Sequence, residues 1–132
     1  MILKIDFITE VIKIRGIIIS YKPFDNSSRV TLHHILFGRL TYRNYRGKKY
    51  SYYVQGMLDK TPFIRVVDGK IFVLDMENIN LEELRIFGDI TTEECEREIT
   101  INSLKTGEEY WYDVAKERGL DFYVRKHKSK RT

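Results

Sequence analysis

Cysteine, proline, alanine and glutamine are nearly missing from this chain of 132 residues, which has one Cys, two Pro, one Ala (Ala115) and one Gln (Gln55). A lone Cys95 excludes an internal disulfide and a zinc centre built from cysteines. No apolar run approaches the ~20 residues of a membrane-spanning helix. Met1 leads straight into Ile-Leu-Lys-Ile-Asp without the layout of a secretion signal, so the expectation is a soluble, cytoplasmic protein. No internal repeat, low-complexity segment or strong catalytic motif appears. What is present suits a globular protein: 42% of residues are hydrophobic and 32% charged, enough apolar surface for a core. At this length the chain reads as one compact unit. Abundant Ile, Lys and Glu with few thermolabile amides fits a heat-adapted source.

The modest net charge of +4 hides a strong segregation. Residues 1–75 carry 13 Lys/Arg against six Asp/Glu, whereas residues 76–123 carry five against 13. The last nine residues, 124–132, add five cations and no acid. No carboxylate occurs between Asp25 and Asp59, a span that holds Arg29, Arg39, Arg43, Arg46, Lys48 and Lys49. Such a separation builds a local positive field, for which a polyanion is the natural partner. The chain thus divides into a basic β-rich part (1–75), an acidic helix-containing part packed on it (76–123) and a basic tail (124–132).

Residues 3–19 alternate apolar and polar with a change of phase after Val11, which predicts a strand bent by a bulge or two strands meeting at a kink. Lys22–Ser28 has the composition of a loop, with Pro23 and Asp25-Asn26 as turn signals. Two hairpins follow. The first runs Ile35–Tyr45, turns at Arg46-Gly47 and returns over Lys48–Leu58. The second runs Phe63–Val67, turns at Asp68-Gly69 and returns over Lys70–Asp75, a dipeptide suited to a type I′ turn. Direct pairing across that turn gathers Ile64, Val66, Ile71 and Val73 on a core face. Thr91-Thr-Glu-Glu94 and Thr106-Gly-Glu-Glu109 each match a capping box and predict helix starts. Gly119 closes the second helix, whose apolar stripe is Tyr110, Trp111, Val114 and Ala115. Leu120–Arg125 reads as a final strand. Strands first and helices later indicate an α+β fold, and meandering hairpins suggest a small barrel or curled sheet, OB-like or SH3-like.

The stretch Tyr42–Tyr53 holds five of the nine tyrosines interleaved with four cations. A turn at Arg46-Gly47 sets Arg43 opposite Tyr50, Tyr45 opposite Lys48 and Thr41 opposite Tyr52. One face then carries Arg43, Tyr45, Lys48, Tyr50 and Tyr52, and the other Leu40, Tyr42, Asn44, Lys49, Ser51 and Tyr53. Cations for phosphates and rings for bases are what a single-strand platform needs. With Arg39, Arg46 and Lys49 on the same hairpin, and Arg125, Lys126, Lys128, Lys130 and Arg131 in the tail, these residues form a candidate nucleic-acid-binding set. RNA or single-stranded DNA is the expected polymer, bound with little sequence preference.

Two other functions suit the sequence. Asp59, Asp68 and Lys70 follow the order used by Mg²⁺-dependent nucleases, although hairpin chemistry alone accounts for Asp68-Gly69. The acidic helical half instead suits an adaptor or inhibitor that meets a basic protein. His33-His34, placed on a strand, point opposite ways and do not share a metal. Cys95 lies among glutamates, which raise a thiol pKa, and reads as a thiol in a helix core. A helix-turn-helix over 92–118 is excluded as a DNA reader because its second helix exposes Glu108, Glu109, Asp113 and Glu117.

Overall fold

The computed structural model describes residues 10–125. Along the chain these form β1 (Val11–Pro23), α1 (Asn26–Phe37), β2 (Arg39–Tyr45), β3 (Lys48–Val54), β4 (Phe63–Val67), β5 (Lys70–Val73), α2 (Leu81–Arg85), β6 (Gly88–Thr100), a 3-10 turn at Ile101–Ser103, α3 (Gly107–Glu117) and β7 (Asp121–Arg125). The fold is α+β with two open sheets. A four-stranded antiparallel sheet has the order β4-β5-β1-β6, and a three-stranded sheet the order β2-β3-β7. Neither closes into the expected barrel, because β2–β3 pairs with β7 instead of continuing the ladder of β1 or β4. No helix among the described residues is long and apolar enough to cross a membrane.

The core lies between the larger sheet and the helices α1 and α2. Ile19, Tyr21, Ile71, Val73, Phe63 and Ile90 meet Leu32, Leu36 and Phe37 of α1 and Leu84 of α2. Each fully buried aliphatic side chain contributes about 1.5–3 kcal/mol on leaving water. Beyond β3 the chain returns along the last turn of α1, where Met57 and Leu58 N–H groups donate to the Ile35 and Leu36 carbonyls at 2.7 and 2.9 Å.

Several expectations change here. The loop predicted at Lys22–Ser28 is divided between the end of β1 and the start of α1, and Ile35–Phe37 belong to that helix rather than to a strand. Asp25 is its N-cap, accepting a 2.7 Å bond from the Ser28 N–H, so a residue read as a turn signal starts a helix. Leu32, Ile35 and Leu36 have the i, i+3, i+4 spacing that turns one face of α1 to the core. His33 and His34 are therefore helical neighbours. β1 pairs with β6 without a register shift from Val11 to Pro23. No bulge interrupts this part, and residues 3–9 of the predicted strand lie outside the described residues. β3 ends at Val54 and β5 at Val73, short of the predicted Leu58 and Asp75.

Thr91–Glu94 starts no helix. The segment is the middle of β6, with Cys95 opposite Gly16 on a strand. Thirteen paired residues outweigh a local capping pattern. The first helix of the excluded helix-turn-helix is thus absent, and the acidic residues are spread over α2, the edge strand β6, α3 and β7. At the second hairpin a register shift between Arg65 and Val67 sets Arg65 opposite Ile71 and Phe63 opposite Val73. That one-residue shift takes Ile64 off the face of Ile71 and Val73 and gives Phe63 its place in the core. The Thr106 capping box forms as expected, and Gly119 follows α3 with φ 70°.

Candidate nucleic-acid interface

The β2–β3 turn takes the geometry its sequence allows, with positive φ at Arg46 (53°) and Gly47 (80°), the pattern of a type I′ turn. The register follows: Arg43 lies opposite Tyr50, Tyr45 opposite Lys48 and Thr41 opposite Tyr52. The two faces of the ribbon differ in burial. Ser51 and Tyr53 are fully buried, and Tyr53 stacks on Phe122 at 6.0 Å, with Tyr112 of α3 edge-on to Phe122 at 5.5 Å. Arg118, just past α3, donates to the Tyr42 hydroxyl. α3 therefore packs under the face of Tyr42, Ser51 and Tyr53.

The opposite face carries Arg43, Tyr45, Lys48, Tyr50 and Tyr52. Arg43, Tyr45 and Lys48 are exposed, and Tyr50 and Tyr52 half-buried. β7 adds a residue that sequence reasoning missed. It pairs parallel to β3, with Tyr123 beside Tyr52 and Asp121 beside Tyr50. The Tyr123 ring lies 6.1 Å from Tyr50 and 5.6 Å from Tyr52, making a row of three rings across two strands. The Ser51 hydroxyl donates to the Asp121 carbonyl and ties the strands together from below. Asp121 is the carboxylate that this face carries. None of Arg39, Arg43 and Lys48 enters an ion pair among the described residues.

The remaining candidates are dispersed. Arg46 sits over the Tyr45 ring at 5.3 Å, whereas Lys49 is on the α3 side, over Tyr42 at 5.7 Å. Arg39 opens β2 opposite Val54, and Val54 is in turn beside Arg125. The backbone thus sets the start of the tail one strand away from the hairpin. Lys126, Lys128, Lys130 and Arg131 lie outside the described residues. Asp59 is buried and accepts a 2.8 Å bond from Gln55 Nε2, whereas Asp68 stands at the tip of the β4–β5 hairpin. Among the described residues no group of three or more His, Cys, Asp or Glu is placed to hold a metal. On the acidic side, Glu108, Glu109 and Asp113 of α3 line an open cleft of about 630 Å³ with Lys105 and Tyr112.

Beneath the interface, the buried Tyr53 hydroxyl has no hydrogen-bond partner. Burial, reinforced by the nearby Asp59 charge, pushes its pKa far above the ordinary 10.0. A hydroxyl held protonated by the fold stabilises fully below pH ~10, and its contribution falls as pH rises toward the folded-state pKa. Tyr21 is shifted the same way by burial. Melting temperature is therefore expected to decline above pH ~10, and Tyr53→Phe to flatten that decline. An unchanged alkaline limb in Tyr53→Phe contradicts this account.

No family model, curated protein or solved structure matches the chain.

Proposed function

We propose that the protein binds single-stranded nucleic acid, RNA or single-stranded DNA, on the outer face of the β2-β3-β7 sheet. The observation that carries this reading is the row Tyr50, Tyr52 and Tyr123, turned away from α3 and bordered by Arg43 and Lys48. Tyrosines that serve only stability are usually packed under another element, as Tyr53 is. Here the rings are tilted against one another by 33–52° on the face turned away from α3, with Tyr123 exposed and Tyr50 and Tyr52 half-buried. Stacking on such rings contributes about 1–3 kcal/mol per base without regard to base identity. The cations neutralise phosphates and release counterions. With few amide side chains beside the rings, base edges are left unread, so sequence preference is weak.

The test is a titration with fluorescent single- and double-stranded oligonucleotides across a range of salt. Three cations, Arg39, Arg43 and Lys48, each meeting one phosphate, give a log–log salt slope of roughly −2 for a single strand. Single strands are expected to bind more tightly than duplexes, whose bases have no free faces. A flat salt response, or a preference for duplex, overturns the proposal.

A further inference from the structure

Where the end of α1, the start of β2, β4 and α3 meet, a cleft of about 240 Å³ opens. Phe37, Phe63, Tyr110 and Trp111 form its walls, with Tyr110 edge-on to Trp111 at 5.0 Å, and its basic lining groups are His33, His34, Arg39 and Arg65, with no carboxylate in the lining. The Trp111 indole N–H donates to the Phe37 carbonyl at 2.9 Å, which fixes the ring as a rigid wall. Arg65 lies over the Phe37 ring at 4.7 Å, and Arg39 Nη1 lies 3.5 Å from His34 Nδ1. Neither arginine is in an ion pair among the described residues.

His33 Nε2 is buried without a partner, as is the hydroxyl of Tyr21, which lies outside the cleft lining. Their rings meet edge-on at 5.8 Å. Leaving such atoms unpaired is costly, and it marks a place where a ligand or water completes the bonding. Two guanidinium groups match the charge of about −1.5 to −2 on a phosphomonoester, and the two imidazoles, held toward their neutral form by burial and the neighbouring arginines, offer hydrogen bonds beside them. The volume is below the roughly 300–1,000 Å³ of drug-sized sites. It therefore admits one ring and its phosphate, with the sugar at the mouth. Arg39 opens β2 with the facing of Arg43, while Trp111 belongs to α3 beneath that sheet, so the cleft lies at the sheet's margin and a strand following the tyrosine row reaches it past Arg39.

We propose that this cleft receives one nucleotide bearing a terminal phosphomonoester, its base against Trp111 and its phosphate among Arg39, Arg65 and His34. The source is a free nucleoside monophosphate or the phosphorylated end of a bound strand, and the second source rests on the single-strand reading above. Trp111 is the one tryptophan of the chain, so its emission reports the cleft directly. Adenosine 5′-monophosphate is expected to change that emission saturably, with adenosine and inorganic phosphate at least about tenfold weaker. His34→Gln with Arg65→Gln weakens the response roughly tenfold. An oligonucleotide phosphorylated at one end binds more tightly than its unphosphorylated form, and the double variant removes that advantage only. Should the double variant not fold, Arg65→Gln alone, at an exposed position, carries the same comparison.

An equal response in wild type and variant overturns the proposal, as does inorganic phosphate acting as well as the monophosphate. Either result counts against the cleft even when unphosphorylated strands bind normally. A monophosphate response without any strand binding supports the cleft and removes the hairpin reading instead.

Discussion

Replacing Arg43, Lys48 and Tyr50 together by Ser, Ser and Thr is expected to weaken single-strand binding by about 2–4 kcal/mol, roughly 30- to 1,000-fold. The two cations account for the salt-sensitive part. Losing them should shrink the log–log salt slope by about 1.4, at roughly 0.7 per phosphate on a single strand. The ring accounts for the part that salt hardly touches. Stability should change little, because Arg43 and Lys48 are exposed and such sites usually cost within ~0.5 kcal/mol. Tyr50 is half-buried against Tyr123, and that pair adds about 0.5–1.5 kcal/mol, so the melting temperature should fall by a few degrees. Tyr53→Ala, on the buried face, is the contrasting variant, with an expected cost of about 3–5 kcal/mol. If the triple variant retains both its affinity and its melting temperature, the hairpin is structural only, and the acidic cleft beside α3 becomes the surface to examine.

Gly38→Ala is expected to be among the most destabilising single substitutions in the chain. Gly38 links α1 to β2 with φ 74° and ψ −164°, a region occupied essentially by glycine alone and worth about 1–3 kcal/mol of strain for any other residue. An added Cβ would stand 2.3 Å from the Val54 carbonyl oxygen and 2.9 Å from the Tyr53 ring. Backbone atoms of the neighbouring strand cannot give way cheaply, and overpacking of this kind costs a further 1–3 kcal/mol or so. The sum, about 2–6 kcal/mol, is a large share of the roughly 5–15 kcal/mol that stabilises an ordinary domain. Urea unfolding followed by circular dichroism measures it. A midpoint equal to that of wild type means that the helix-to-hairpin junction is looser than its geometry implies.

How much could be read in advance depended on where each element finds its partners. The β2–β3 hairpin was legible because Arg46-Gly47 and the alternation beside it specify turn, register and faces locally. The Thr106–Glu109 capping box was legible for the same reason. β6 was not. Thr91–Glu94 carries the same local pattern as Thr106–Glu109, and only the ladder with β1, some seventy residues upstream, makes it a strand. The start of α1 was written in Asp25 and Ser28, but the same pair also spells a turn. The face of the second hairpin turned on a bulge, and β-branched runs conceal a slip of one residue. Tyr123 could not have been placed at all. Its position beside Tyr52 follows from a parallel pairing across a long separation, for which the sequence holds no local sign.

That parallel pairing also sets an order in time. The hydroxyl of Ser51 bonds to a carbonyl 70 positions later in the chain, so the hairpin leaves the ribosome well before the strand that completes its sheet. At about 5–20 residues per second the interval is roughly 4–14 s. During it Tyr53 has neither Phe122 nor α3 above it, and one edge of β3 has no neighbour. Contacts this distant in sequence form late, after the shorter loops have closed. The row of Tyr50, Tyr52 and Tyr123 therefore comes into being only once β7 has been made, and a nascent chain that stops short of β7 does not present it.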